Sequence, residues 1–185
     1  FQMISHGVSD RSDDFHTFIF SNVENNKPMS RYVVLRGFDP EKLTIIFNSD
    51  LRSPKIQGIK TNPQTNCLFY HIGNKTQLRV STFSTILDDK EAVDEIWANT
   101  HVSSRKCYLT KYAPSEKIDE CDDGVPKHLI GRIPTHSESE KGRKNFAVIQ
   151  NKILSIDWLY LSSKGHQRAC LKFNGSEVLT QWLAP

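Results

Sequence analysis

From Tyr32 to its end, this chain is a succession of short β-branched and aromatic runs broken by turn residues, with few helical patterns between them. Tyr32–Leu35 and Leu43–Phe47 are two such runs, joined by the hairpin-turn signal Gly37-Phe38-Asp39-Pro40. Cys67–Tyr70 is continuously apolar, which predicts a strand buried on both faces. Thr76–Leu87 predicts a long strand whose alternation sets Gln77, Arg79 and Ser81 on one face and Leu78, Val80 and Thr82 on the other. Four further strands are expected at Phe146–Ile149, Ile153–Leu161, Gln167–Phe173 and Glu177–Trp182. So many strands with so few helices constrain the fold to a β-barrel, or to a mainly β, α+β domain built around one.

Three helices are expected beside the strands. Asp13–Asn26 carries Phe15, Phe18, Ile19 and Val23 at near-helical spacing, and Pro28 would end it. Ser53 before Pro54 has the pattern of an N-cap with proline at the first helical position, and this helix should stop near Asn62-Pro63. The third runs from Asp89 to about Asn99, with Ala92, Val93, Ile96 and Trp97 as a stripe that packs on a sheet. Residues 112–142, with Pro114, Pro126, Pro134 and little apolar content, predict a long loop or insertion. At 185 residues the whole chain, 1–185, fits one domain.

Composition removes several function classes. A net charge of +3 is too small to argue for nucleic acid, and aromatic residues are not interleaved with a basic stripe. No apolar run approaches the roughly 18 residues that a membrane helix needs. Cys67, Cys107, Cys121 and Cys170 are scattered without zinc or redox-motif spacing, which suits a reducing, cytoplasmic setting. Phe at position 1 points to residues upstream.

Chemistry concentrates in Ser49-Asp50-Leu51-Arg52-Ser53-Pro54-Lys55, directly after a strand. Two cations, two hydroxyls and a helix N-terminus within seven residues form either an anion site or an ordinary basic surface turn. Arg31 and Arg36 are five residues apart, so they face opposite ways on a regular strand, roughly 16 Å apart at 3.3 Å per residue. They cannot share one small anion. The Gln77-Arg79-Ser81 stripe faces either water or a ligand. Trp158 begins a late strand, and Lys164-Gly165-His166-Gln167-Arg168 is a turn entering the next one.

In colinear order these pieces resemble the pyridoxamine 5′-phosphate oxidase-like FMN-binding split-barrel family, in a divergent form. Ser30-Arg31-Tyr32-Val33-Val34-Leu35-Arg36 is similar to the family's opening strand, which begins with Arg and ends with Lys. Phe47–Lys55, followed by Asn62-Pro63, is similar to its phosphate clamp, here worded Arg-Ser-Pro-Lys. Gln77, Trp158, the His-x-Arg of His166 and Arg168, and the terminal Leu-Ala-Pro match as well, so the resemblance covers about residues 28–110 and 145–185.

The resemblance implies a split β-barrel, FMN as cofactor at the interface of a homodimer, and an oxidoreductase acting on a small molecule with dioxygen or a nicotinamide as the other partner. It implies that Ser49, Arg52, Ser53 and Lys55 hold the phosphate with Arg31 nearby, and that Gln77, Trp158 and Arg168 flank the ring or ribityl chain. Arg36 and His166 become the substrate-side candidates. The same barrel holding flavin without turnover is the alternative. It is favoured by Ile96 and Thr100, which stand where the family places a substrate-binding Tyr and Arg; Arg105 and Tyr108, slightly downstream, are the candidates to replace them.

Overall fold

The structure, a computed structural model, describes residues 1–175 and 177–185. Its centre is a closed, six-stranded antiparallel barrel. The strands are β1 (Thr17–Glu24), β2 (Lys27–Asp39), β3 (Thr44–Asp50), β4 (Gln64–His71), β5 (Thr76–Ile86) and β6 (Phe146–Tyr160). They run in the order β3-β2-β1-β4-β5-β6, and β3 pairs with β6 to close the ring. The far half of β6 keeps its pairing with β5 and pairs on its other side with β7 (Gln167–Asn174), and β7 pairs with β8 (Glu177–Leu183), so β7 and β8 extend beyond the ring. β8 is half-exposed or exposed at every position, with Val178, Leu179 and Trp182 open to solvent.

The expected Asp13–Asn26 helix is replaced by a short helical turn, Asp14–His16, and by strand β1. Phe18, Phe20 and Asn22 are its buried positions, a period of two, so the aromatic run packs as a strand. Asn25 and Asn26 have φ of 50° and 61° and join Glu24 to Lys27 in a two-residue hairpin, a turn that needs positive φ at both central positions. The N-terminal residues instead form helix α1 (Gln2–Ser9).

Cys67–Tyr70 is not buried on both faces. Thr65, Cys67 and Phe69 point inward, while Tyr70 is exposed. The strands expected at 146–149 and 153–161 are one strand, because Asn151 lies fully inside the barrel and donates to the Ile45 carbonyl at 2.8 Å. The barrel interior is aromatic around Phe15, Phe18, Phe20, Phe47 and Phe69, with Phe18 stacked on Phe69 at 4.7 Å.

Helix α2 (Pro54–Thr61) and helix α3 (Lys90–Asn99) form where their patterns predict; α2 closes one end of the barrel, and α3 packs on its outer wall as its apolar stripe predicts. Val93 and Trp97 of α3 meet Tyr108, Phe146 and Val148 in a second apolar cluster. Arg105 ends a short helix α4 (Val102–Arg105) and is 1% exposed. The expected loop 112–142 holds a helical turn at Lys127–Leu129 and helix α5 (His136–Glu140), which begins with a Thr135–Glu138 capping box. Among the described residues, no helix is long and apolar enough to cross a membrane.

Candidate functional site

The end of the barrel capped by α2 collects most of the polar residues of the β3–α2 turn. Ser49 and Ser53 are buried, and Lys55 Nζ donates to their hydroxyls at 3.2 and 2.7 Å. Ser53 therefore gives its oxygen to Lys55 and makes no side-chain cap of the helix. Among the described residues no carboxylate lies within ion-pair distance of Lys55; Asp50 is taken by Arg52. Burial, and then the nearby Arg31 charge, lower the Lys55 pKa from its ordinary value. Arg31 enters from β2, held by Glu24 and the Asn22 amide oxygen. The Asn22 amide nitrogen is buried without a partner.

Helix α2 comes this close because residue 58 is glycine. A Cβ there would stand 2.5 Å from Asn22 Nδ2 and 2.8 Å from the Val23 carbonyl oxygen. The result is a half-buried ammonium, two hydroxyls and the positive end of an eight-residue helix facing one mouth. This donor set fits a phosphomonoester dianion.

Arg52, expected in the same clamp, is directed elsewhere. Its guanidinium grips both Asp50 carboxylate oxygens and the Thr110 carbonyl, at 2.6 to 3.0 Å, and it lines a different cleft. Arg36 is the extra residue of a β-bulge between Leu35 and Gly37. It lies on the opposite face from Arg31, as the spacing predicts, and lines an outer cleft of about 470 Å³ with Arg11, Asn48, Ile96, Thr100 and His101. The Asn48 amide oxygen is buried there without a partner, and the Thr100 hydroxyl is bound to the Ile96 carbonyl at 2.8 Å.

Arg105 and Tyr108 do not replace the missing pair. Arg105 donates to the carbonyls of Thr100, Trp97 and Ala98, to Ser139 Oγ and to Glu140 Oε1, and its guanidinium lies 4.7 Å from the Trp97 ring centre. Tyr108 is buried edge-on against Trp97 and Phe146.

The third group lies on the far wall. Gln77 faces Leu159, and Leu159 faces Arg168, so Gln77, Arg79, Asp157 and Arg168 share the outer surface of β5, β6 and β7. Asp157 receives both Arg79 and Arg168. Trp158 points to the other face, beside Leu78 and against the core, with its ring parallel to Tyr160 at 6.4 Å. His166 is exposed in the β6–β7 turn, where its Nδ1 accepts the Ser162 N–H. Helix α2 leads into Gln64, which pairs with Phe83, whereas Gln77 pairs with Tyr70 at the other end of β4 and β5, so Gln77 and its neighbour Arg168 stand at the far end of the barrel from Lys55. The set of acceptors that buries Arg105 was not legible in the sequence, where no spacing distinguishes a buried arginine from an exposed one.

A closed antiparallel barrel with a polar mouth at β2, β3 and α2 has the split-barrel architecture. Residues 1–88 match the family model for the pyridoxamine 5′-phosphate oxidase FMN-binding domain. The pyridoxine/pyridoxamine 5′-phosphate oxidase 2 of Arabidopsis thaliana is 26% identical over 123 residues, 57% of this chain. The match spans 62% of that relative, less than two thirds of its length.

The fold of a pyridoxamine 5′-phosphate oxidase-related, FMN-binding protein from Nostoc punctiforme superposes with a TM-score of 0.76 at 22% identity, covering 100% of this chain and 96% of that one. PhzG from Burkholderia lata, solved with tetrahydrophenazine-1-carboxylic acid, gives 0.75 at 14% identity, covering 100% and 89%. Over residues 1–88 the chain is similar to the pyridoxamine 5′-phosphate oxidase FMN-binding domain, and its fold is that of the split barrel.

Proposed function

We propose that this protein binds FMN between two copies of itself and works as an oxidoreductase on a small anionic molecule. The observation that carries the reading is Lys55, a desolvated ammonium that faces hydroxyls and a helix N-terminus and has no carboxylate partner among the described residues. A buried charge without a counter-ion is costly, and a phosphate dianion offsets that cost. Lys55, Ser53, Ser49 and Arg31 hold the phosphate in this reading, while Arg52 supports the turn from behind.

Gln77 and Arg168 reach a cofactor at that mouth from a second copy in this reading, because they stand at the far end of the barrel from α2. The exposed Val178, Leu179 and Trp182 of β8 add apolar surface for such a partner. FMN, once bound, supplies hydride or electron transfer, and the chain's residues orient it and the substrate. Arg36 and Arg11 offer two cations against the one carboxylate, Glu95, to an acidic substrate at the outer cleft, and Asn48 offers an acceptor there. His166 belongs to the partner's side of the same site.

The second reading, flavin binding without turnover, is favoured by Ile96 and by a Thr100 hydroxyl already bound to main chain. The test is a flavin spectrum of the purified protein with sedimentation, followed by reduction and reoxidation with candidate acids under air. A yellow dimer with substrate-dependent bleaching supports the first reading. A yellow protein inert to every acid tried supports the second, and a protein that gains no flavin on titration rejects both.

A further inference from the structure

The insertion builds a cleft that the flavin reading does not use. Between the turn at residues 106–111, the turn at 127–129 and the stretch from α5 to Asn145 lies a cavity of about 390 Å³. Its floor is apolar, from Leu109, Pro126 and the buried Leu129. Its rim carries Arg52, Lys111, Lys141 and Lys144. The one carboxylate of the lining, Glu138, is engaged at 2.7 and 2.9 Å by the two guanidinium nitrogens of Arg132, which lies outside the lining. Lys111 is paired with Asp122 at 2.7 Å, and Arg52 with Asp50, whereas Lys141 and Lys144 make no ion pair among the described residues. The cleft therefore carries excess positive charge over an apolar floor.

A basic surface on a loose loop would have no fixed geometry, but this wall is fixed. Arg105 ties Ser139 and Glu140 to the end of α3, and Trp97 Nε1 donates to the other Glu140 oxygen at 3.0 Å. Lys106 donates to the Arg132 carbonyl at 3.0 Å, and Asn145 Nδ2 to the Tyr108 carbonyl at 2.8 Å. These ties act on both sides of Lys141 and Lys144 and hold the segment that carries them against the barrel.

We infer that this cleft binds a small organic polyphosphate of about nucleoside diphosphate size. Its phosphates sit between Lys141, Lys144 and Lys111, and its planar body rests on Leu109 and Leu129. Several cations on one rim select for a polyanion over a single carboxylate, since charge-assisted hydrogen bonds are the strong ones. The volume lies at the lower end of small-molecule sites. The site is separate from the proposed flavin mouth: neither Lys55, Ser49 nor Ser53 lines it.

The test is calorimetric titration of the purified, flavin-saturated protein with adenosine diphosphate, pyrophosphate and tricarballylate. The comparison variants are Lys141→Ala/Lys144→Ala and Lys55→Ala. The wild type should bind adenosine diphosphate saturably and more tightly than pyrophosphate. The double variant should lose about tenfold or more of that affinity while keeping its flavin, and Lys55→Ala should keep the nucleotide. No saturable binding by the wild type, or unchanged affinity in the double variant, would overturn the site. Displacement of flavin by the nucleotide would return the binding to the Lys55 mouth, and equal affinity for tricarballylate would overturn the polyphosphate assignment. Were the protein to take up no flavin at all, the same titrations on the flavin-free chain would still decide the matter, so the two readings fail separately.

Discussion

Arg105 and Lys55 are both cations withdrawn from water, and the chain treats them in opposite ways. Around Arg105 the fold gathers three main-chain carbonyls, a hydroxyl and a carboxylate, so the guanidinium is saturated from within. Around Lys55 it gathers two hydroxyls, a second cation and a helix N-terminus. The first arrangement has no capacity left for a ligand and holds the α3 end to α5. The second is unfinished by the protein's own groups. Saturation marks a structural cation here, and incompleteness is what the proposed phosphate site rests on.

The comparison breaks most visibly at Arg105. Arg105→Met should cost about 3 kcal/mol or more in urea unfolding, because it strands the carbonyls at the end of α3 and unties the insertion. A loss within 1 kcal/mol would deny it the role of a lock.

Next in size is Gly58→Ala. The added Cβ meets main chain at 2.8 Å, which cannot give way like the tip of a side chain. Helix α2 must shift, at a cost of about 1–3 kcal/mol, and flavin affinity should fall with it. Wild-type flavin affinity in this variant would show that the helix position does not matter to the site.

Lys55→Met sharpens the contrast, because its two effects have opposite signs. Folding stability should stay within about 0.5 kcal/mol of wild type or rise, since a desolvated charge disappears. Flavin affinity should weaken about tenfold to a hundredfold, the value of one charge-assisted phosphate contact. Fluorescence titration and urea melts on the same preparation read both.

The smallest effect is on pH dependence. Lys55 loses its proton at a lower pH in the folded protein than the ordinary 10.5, chiefly through burial and then through Arg31. Between the lowered value and 10.5 the unfolded chain holds a proton that the folded chain has released. The flavin-free protein therefore gains stability from this group as pH rises through that window. Flavin affinity runs the other way, because it needs the ammonium, and should decline at a pH where an exposed lysine is still charged. A flat affinity profile up to 10.5 would remove Lys55 from the phosphate site.

Where local pattern and tertiary demand agreed, the sequence was readable. The Ser53-Pro54 helix start and the alternation of β5 depend on residues close in the chain, and both stand as expected. The stretch 13–26 failed because four apolar residues at near-helical spacing outweighed the aromatic and β-branched triplet Phe18-Ile19-Phe20 and the Asn25-Asn26 turn, whose positive φ marks a hairpin. Strand β6 was split because Asn151 resembles a turn residue, while the barrel satisfies its amide with the Ile45 carbonyl and Ser84 Oγ.

At the site, the Ser49–Lys55 stretch was legible as a cluster, but the separate paths of Arg52 and Lys55 were not. The direction of Arg52 depends in part on Thr110, 58 residues further on. The burial of Arg105 depends likewise on α5, more than 30 residues away.

The pairing of β3 with β6 has a kinetic meaning. Residues 44–50 must find residues 146–152, so the last seam of the barrel joins segments about a hundred positions apart. Closing so long a loop is entropically unfavourable before any contact rewards it, and chains dominated by distant pairings fold slowly. The first 88 residues, which carry the whole of the proposed phosphate mouth, lack the strand that shuts the ring. Expressed alone, that fragment would keep two unpaired edges, β3 and β5, and would be expected to associate through them. The mouth is therefore written in the first half of the chain, and its rigidity depends on the second.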